Sequence, residues 1–212
     1  MKLKHSFPFF QVLASYFLPI TIDQSSEPYH LELVLSKNKL LLNSSNANQS
    51  NDSLERAFHL VFHELEMYNR ENASVLILGL GLGSVIDLLQ RNSSIQQTTA
   101  VENNPQVLAW LELYYDTSSI HLISDSAEKS LQTDEIYDLI IVDLFEDLHI
   151  PHFLYQEAFW TQIKTKLTPN GIILWNTLLD YPPQVHFQLE NIFDRKLDVE
   201  GMNRMWAFYK LQ

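Results

Sequence analysis

Beyond residue 72, short apolar runs alternate with segments whose apolar positions recur every three or four residues. Short continuous apolar runs are typical of strands buried on both faces, and the wider spacing is typical of helices. Strands are predicted at Val75–Leu78, Thr98–Val101, Ile120–Ile123, Leu139–Val142, Ile172–Trp175, Leu197–Val199 and Met205–Tyr209. This alternation predicts an α/β fold with a doubly wound, mostly parallel seven-stranded sheet covered on both faces.

The first 50 residues have a different pattern, in which polar and apolar positions tend to alternate. Strands are predicted at Phe17–Ile22, Tyr29–Leu35 and Lys39–Leu42. Lys37–Asn38 is a suitable hairpin tip, and the polar run Asn43–Ser53 is typical of a linker. We therefore expect a small antiparallel β domain at 1–50 and the doubly wound domain at 51–212.

Composition and charge exclude several classes of protein. The 212 residues include no cysteine, which excludes disulfides, thiolate metal sites and a cysteine nucleophile. Lys and Arg number 14 against 26 Asp and Glu, a formal charge of −12 that repels nucleic acid and anionic lipid. Pro8, Gln11 and Ser15 interrupt the apolar N-terminal stretch, so neither a signal peptide nor a membrane span is expected. We expect a cytoplasmic protein without nucleic-acid or membrane partners.

The glycines indicate one unusual turn. The chain has five glycines, and Gly79, Gly81 and Gly83 lie together directly after the predicted strand Val75–Leu78. Glycine is required where the backbone has a positive φ or approaches a ligand closely. In a doubly wound sheet the first strand-to-helix turn lies at the switch point, where nucleotides bind. The sequence therefore predicts a nucleotide-binding loop.

Acidic residues follow three of the predicted strands. Glu102 lies 19 residues beyond Gly83, where a carboxylate can accept both hydroxyls of a ribose. Asp125, with Ser126 beside it, follows the third strand and can accept from an adenine amino group. Asp143 ends the central strand, beside the glycine loop.

The charge around this predicted site favours a nucleoside without phosphates. Between Asn92 and Ile163 the only Lys or Arg is Lys129, so a pyrophosphate would find little positive charge. The loop reads G-x-G-x-G followed by Ser84, which departs from the dinucleotide pattern. A sulfonium nucleoside fits this acidic surrounding better.

Histidines offer weaker candidates. His59 and His63 have metal-ligand spacing on a predicted helix, but no third ligand is evident and no metal is expected. His149 and His152 follow the acidic residues Asp143, Glu146 and Asp147, where a loop could assist proton transfer.

These motifs resemble the spermidine synthase branch of the class I S-adenosylmethionine-dependent transferases. The matching segments are VLILGLGLGSVIDLL, TTAVENNPQVL, LISDSAEKSL, YDLIIVDLFED and LTPNGIILWN. The resemblance covers about residues 72–180, and more weakly residues 15–50. Ile77 supports this branch, because ordinary methyltransferases usually carry an acidic residue there.

The resemblance implies a class I methyltransferase-like Rossmann fold. It also implies a co-substrate, S-adenosylmethionine or its decarboxylated form, whose aminopropyl or methyl group passes to a small cationic amine. Asp143 and Glu146 would be catalytic, since carboxylates can hold the amine and receive its proton. The implied nucleoside-binding residues are Gly79, Leu80, Gly81, Gly83, Glu102, Asn103, Asp125, Ser126 and Asp143. A homodimer through exposed N-terminal strand edges is expected by analogy.

Three departures from the family pattern keep alternatives open. Leu82 replaces a usual aspartate, the central loop reads Asp143-Leu144-Phe145-Glu146 instead of Asp-x-x-Asp, and no Tyr-His-Glu run precedes the core domain. A nucleoside-binding or assembly protein without turnover is therefore a second hypothesis. A nicotinamide-dependent oxidoreductase is a third, although Ser84 counts against it.

Overall fold

The computed structural model describes residues 1–26, 30–44, 52–65, 72–91, 95–145, 149–177, 189, 191–193, 195–199 and 205–211, with only the backbone at 52–54 and 195–199. The helices are α1 (Phe9–Ser15), α2 (Asp52–Glu64), α3 (Ser84–Gln90), α4 (Pro105–Tyr114), α5 (Ala127–Ser130) and α6 (Glu157–Thr165). The strands are β1 (Lys2–Leu3), β2 (Ile20–Gln24), β3 (Glu32–Ser36), β4 (Lys39–Asn43), β5 (Ala73–Leu78), β6 (Ile95–Glu102), β7 (Tyr115–Asp116), β8 (His121–Ser124), β9 (Tyr137–Val142), β10 (Leu167–Asn176), β11 (Arg195–Val199) and β12 (Met205–Tyr209).

Within the described residues, seven strands form the central sheet in the order β11-β12-β10-β9-β5-β6-β8. The pairs among β10, β9, β5, β6 and β8 are parallel, whereas β12 is antiparallel to both of its neighbours. The predicted mostly parallel, doubly wound sheet is therefore confirmed. The strand order reverses direction between β5 and β9, which makes their carboxyl ends the switch point.

Side-chain alternation along the strands creates two cores, one on each face of the sheet. Val75 and Ile77 of β5 join one core, whereas Leu76 and Leu78 join the other. The first core includes α2, α3 and α4, and the second includes α6. All four tryptophans are buried, as expected for core residues: Trp110, Trp160, Trp175 and Trp206.

The small antiparallel sheet has the order β2-β3-β4. Lys37 and Asn38 form its hairpin tip with φ values of +48° and +62°, as a two-residue primed turn requires. Leu33, Leu35 and Leu42 belong to the same core as α2 and α3, so this sheet packs onto the large one.

The N-terminal residues differ from their prediction in two ways. The strand predicted from Phe17 begins at Ile20, because the backbone still turns at Leu18, whose N–H donates to the Ala14 carbonyl (3.0 Å). The segment Phe9–Ser15, for which no element was predicted, is a helix. In the described part of the chain, no helix has the length and apolar character needed to cross a membrane.

A side-chain hydrogen bond links the small sheet to helix α4. The indole Nε1–H of Trp110 on α4 donates to Oδ2 of Asp23 on β2, at 2.8 Å. The Trp110 ring is buried and Asp23 lies at the surface, so the carboxylate satisfies the polar atom of a core residue.

We expect Asp23→Ala to lower the free energy of unfolding by about 1 kcal/mol, because the Trp110 N–H loses a charged acceptor. Urea denaturation monitored by tryptophan fluorescence measures this change. Glu112→Ala, at an exposed position of α4, is the control and should change stability by less than about 0.5 kcal/mol. An equal loss of stability in both variants would contradict the stabilising role of the hydrogen bond between Trp110 and Asp23.

Candidate functional site

The backbone segments that follow β5 and β9 lie side by side at the switch point. The Gly79 N–H donates to the Val101 carbonyl at 3.0 Å, and the Asp143 N–H donates to the Leu78 carbonyl at 2.9 Å. Gly79 has a φ of +88°, and a methyl group added there would collide with the Asp143 carbonyl oxygen. Glycine at this position therefore allows the close approach of the backbone segments that follow β5 and β9.

Gly81 has a different role from Gly79. Its φ is +52°, and a methyl group added there would meet nothing nearer than Leu42 Cδ2, at 4.0 Å. Its N–H donates to Oε2 of Glu102 at 3.0 Å. A methyl group would therefore fit beside Gly81, so the space here does not explain the glycine, unlike at Gly79.

Glu102 joins the glycine loop to the start of α4. Oε1 accepts from the Asn104 N–H at 2.8 Å, while Oε2 accepts from Gly81. Burial raises the pKa of Glu102, and the N–H groups of Asn104, Gly81, Asn103 and Leu80 oppose that rise. Two of these N–H groups, those of Gly81 and Asn104, lie within hydrogen-bond distance, so about two of the roughly four acceptor positions of the carboxylate remain for other donors.

Asp125 and Ser126 lie at the same edge of the sheet as Glu102, because Glu102 is in register with Ser124, the last residue of β8. The Ser126 N–H donates to Oδ1 of Asp125 at 2.7 Å, and Lys129 Nζ lies 3.5 Å from the same oxygen. The Ser126 hydroxyl caps α5 by accepting from the Lys129 N–H at 3.4 Å.

Asp143 follows β9 at the switch point, and its Oδ1 accepts from Asn176 Nδ2 at 2.8 Å. Although the residue retains some exposure, dense surroundings raise the pKa of Asp143 to about 6, and the Asn176 bond acts in the opposite direction. Because the folded-state pKa lies above the ordinary aspartate value of 3.8, this group stabilises the fold at low pH. That contribution is lost as the pH rises from about 4 through about 6.

Asn176 was not among the predicted site residues. It ends the buried strand β10, as Glu102 ends β6, and its side chain is almost completely buried. The same signal that identified the acids, a polar residue at the end of an apolar run, could have identified it.

The remaining residues named in the sequence analysis lie in the core, at the surface or outside the described part of the chain. The side chains of Leu80 and Leu82 belong to the core on the α2 face, so only the Leu80 backbone faces Glu102. Asn103 is exposed, and Gly83 precedes α3 in a left-handed conformation. Glu146, a predicted catalytic residue, lies outside the described residues.

The four histidines named as weaker candidates, His59, His63, His149 and His152, are all exposed. Within the described ranges, no group of three or more His, Cys, Asp or Glu side chains could hold a metal ion.

The strand order, with antiparallel β12 between β10 and β11, defines the class I S-adenosylmethionine-dependent transferase fold. The model of the spermine/spermidine synthase domain matches residues 56–193, and the chain belongs to this family.

Among its relatives, the polyamine aminopropyltransferase of Thermococcus onnurineus is 24% identical over 172 residues, covering 73% of this chain and 61% of the relative. The chain therefore spans less than two thirds of that relative's length. A spermidine synthase in complex with the transition state analogue AdoDATO has a TM-score of 0.71 at 14% identity, over 90% of this chain and 73% of the other. Human methyltransferase-like protein 13 in complex with SAH has a TM-score of 0.60 at 17% identity, over 76% and 83% of the two chains.

We expect Asn176→Ala to raise the pKa of Asp143 by roughly one unit, because one hydrogen bond to the charged form is lost. Carbon-detected NMR titration of aspartate carboxyl groups measures this shift without requiring a ligand or turnover. The control is Thr168→Ala. It removes a hydroxyl that donates a hydrogen bond to Asp138, at the opposite end of β9 from Asp143. An unchanged titration of Asp143 in Asn176→Ala would contradict the assigned role of Asn176.

Proposed function

We propose that this chain transfers an aminopropyl group from decarboxylated S-adenosylmethionine to a small amine. The observation that carries the proposal is the buried carboxylate of Glu102 bonded to the Gly81 backbone, with the ionisable Asp143 two strands away at the same edge of the sheet. Membership in the spermine/spermidine synthase family supports the reaction class. The acceptor is proposed to be a cationic polyamine precursor, and the protein is proposed to be cytoplasmic.

The donor half of the proposed site is formed by residues that recognise a nucleoside. Glu102 is proposed to accept from the ribose hydroxyls, and Asp125 from the adenine amino group. Gly81 lets the donor approach the backbone closely. Glu102, Asp125 and Asp143 all follow strands at one edge of the sheet, and their negative charge favours a sulfonium cation over an anionic phosphate.

The acceptor half of the proposed site centres on Asp143. An ammonium acceptor must lose a proton before its nitrogen lone pair can attack, and an ionised carboxylate beside it can receive that proton. The amine nitrogen then forms a bond to the propyl carbon, the carbon–sulfur bond breaks, and its electron pair neutralises the sulfonium to a thioether. Since the pKa of Asp143 is about 6, the base is ionised at neutral pH.

A nucleoside-binding protein without turnover is the second candidate. The observation that favours it is Leu82, whose side chain is buried in the core. The family that this chain resembles usually carries an aspartate at the same position of the glycine loop. The nicotinamide hypothesis loses support because antiparallel β12 departs from the order of the dinucleotide-binding fold.

The donor site is tested by Glu102→Gln. This substitution replaces one acceptor oxygen by an amide group, so one of the two hydrogen bonds from the Gly81 and Asn104 N–H groups is lost. We expect methylthioadenosine, the proposed thioether product, to bind about 10- to 100-fold more weakly to this variant in calorimetry. Glu112→Gln, the same change at an exposed position, is the matched control. Equal affinity of Glu102→Gln and the unaltered protein would refute the ribose role, provided that circular dichroism shows both to be folded.

The chemistry is tested by incubating the protein with decarboxylated S-adenosylmethionine and a panel of linear diamines, with mass spectrometry of both products. We expect equimolar aminopropylated amine and methylthioadenosine. Asp143→Asn keeps the shape of the side chain but cannot accept the proton, so kcat should fall about 10²- to 10⁴-fold. Nucleoside binding without product across the panel would favour the second candidate, and methylated amine from S-adenosylmethionine would contradict the aminopropyl donor.

A further inference from the structure

Asn104 joins the first turn of α4 to the carboxylate of Glu102. Its side-chain Oδ1 accepts from the N–H groups of Gln106 and Val107, at 2.9 and 3.3 Å. Its own backbone N–H donates to Oε1 of Glu102 at 2.8 Å. One residue therefore bonds the helix through its side chain and the carboxylate through its backbone.

Local constraints fix the direction of the Asn104 N–H. A residue that precedes proline is restricted to extended conformations, and Asn104 has a φ of −78° and a ψ of 114° before Pro105. Proline is favoured at the first helical position, because its φ is preset for the helix. The helix is held in the core by three buried side chains, those of Val107, Trp110 and Leu111. The side-chain cap and the proline thus keep the Asn104 N–H directed toward Glu102.

The donors in the first turn of α4 are already in use. Pro105 has no N–H, and the N–H groups of Gln106 and Val107 bond to Asn104. These three residues therefore have no backbone donor left for an anion such as a phosphate group. The effect of this helix end on a bound nucleoside passes through the Glu102 carboxylate instead.

The Glu102 carboxylate needs such support, because it is only 9% exposed and an unsupported charge is costly inside a protein. Burial raises the pKa of Glu102, and the Asn104 N–H has the largest opposing effect among the backbone groups around it. The other oxygen, Oε2, accepts from the Gly81 N–H at 3.0 Å. With one oxygen held by each backbone segment, the plane of the carboxylate is fixed and its remaining acceptor positions have a defined direction.

We propose that Asn104 is a positioning residue for nucleoside binding: by capping α4, it directs the Glu102 carboxylate toward the two hydroxyls of the donor ribose. This inference rests on the proposed donor site, and it adds a residue that acts on the ligand through Glu102. Such preorganisation improves affinity, because the ligand does not have to order the site when it binds.

The test compares methylthioadenosine with its 2′,3′-dideoxy analogue, which lacks both ribose hydroxyls, in calorimetry on the full chain. We expect the unaltered protein to bind the analogue about 10- to 100-fold more weakly. In Asn104→Ala this ratio of dissociation constants should fall by about threefold or more, because the carboxylate is no longer held in place. Asn104→Ser restores a capping oxygen and should keep the ratio of the unaltered protein.

Asp23→Ala is the control for a general loss of stability, since it removes the hydrogen bond of Trp110 on the same helix and leaves Asn104 intact. It should not change the ratio. Asn104→Gly replaces Asn104→Ala if the alanine variant does not fold, because glycine is tolerated at a helix N-cap but has no side-chain acceptor. Its ratio should fall as in Asn104→Ala.

An unchanged ratio in folded Asn104→Ala or Asn104→Gly would overturn the proposal and leave the ribose role of Glu102 intact. Equal binding of the two ligands by the unaltered protein, or binding of neither, would overturn both. A measurement without ligand separates the two claims: in carbon-detected NMR titration, the pKa of Glu102 should rise in Asn104→Ala and not in Asp23→Ala. An unchanged pKa in Asn104→Ala would contradict the support of the carboxylate by Asn104.

Discussion

The site depends on one buried carboxylate held by backbone amides. Glu102 accepts from Gly81 on one oxygen and from Asn104 on the other. These two bonds connect the loop after β5, the end of β6 and the start of α4. A buried carboxylate is costly unless hydrogen bonds satisfy it, so its burial and its partners belong together. The same arrangement that stabilises the loop leaves acceptor positions for a ligand.

A second constraint acts beside the first. The backbone after β5 lies so close to the backbone after the parallel strand β9 that Gly79 can have no side chain. This close approach holds Asp143 next to the glycine loop, while Asn176 on β10 orients its carboxyl group. Residues at the ends of three adjacent strands, β5, β9 and β10, therefore position the carboxyl group of Asp143. Buried apolar side chains on both faces hold these three strands in place, since each strand lies between the two cores.

Much of this architecture could be predicted because β6, β9 and β10 each carry apolar residues that a polar residue follows directly at the carboxyl end of the strand. Glu102 and Asp143 were found by that rule, and the sheet order brought them to one edge. The two backbone partners of Glu102 could not be predicted, because an amide is the same at every residue. Leu80 was expected at the ligand, but the sequence does not show that its side chain turns into the core.

The N-terminal residues show where periodicity fails. Helix α1 has apolar side chains that face outward, so its pattern does not follow the usual rule that apolar faces contact a core. Strands β1 and β7 have two residues each, too few for any pattern. The hairpin tip was predictable, since Lys37–Asn38 separates two alternating runs.

The central claim is that an adenosine moiety binds at Gly81 and Glu102. Labelling only glycine with ¹⁵N gives at most five amide signals, because the chain has five glycines. On titration with methylthioadenosine, the account predicts saturable shifts for Gly81 and its neighbours Gly79 and Gly83. The chemical shift of Gly171 should not change. This residue lies in β10, at the opposite end of the apolar run from Asn176. Binding that leaves the Gly81 signal unmoved, or no binding at millimolar ligand, would contradict the claim.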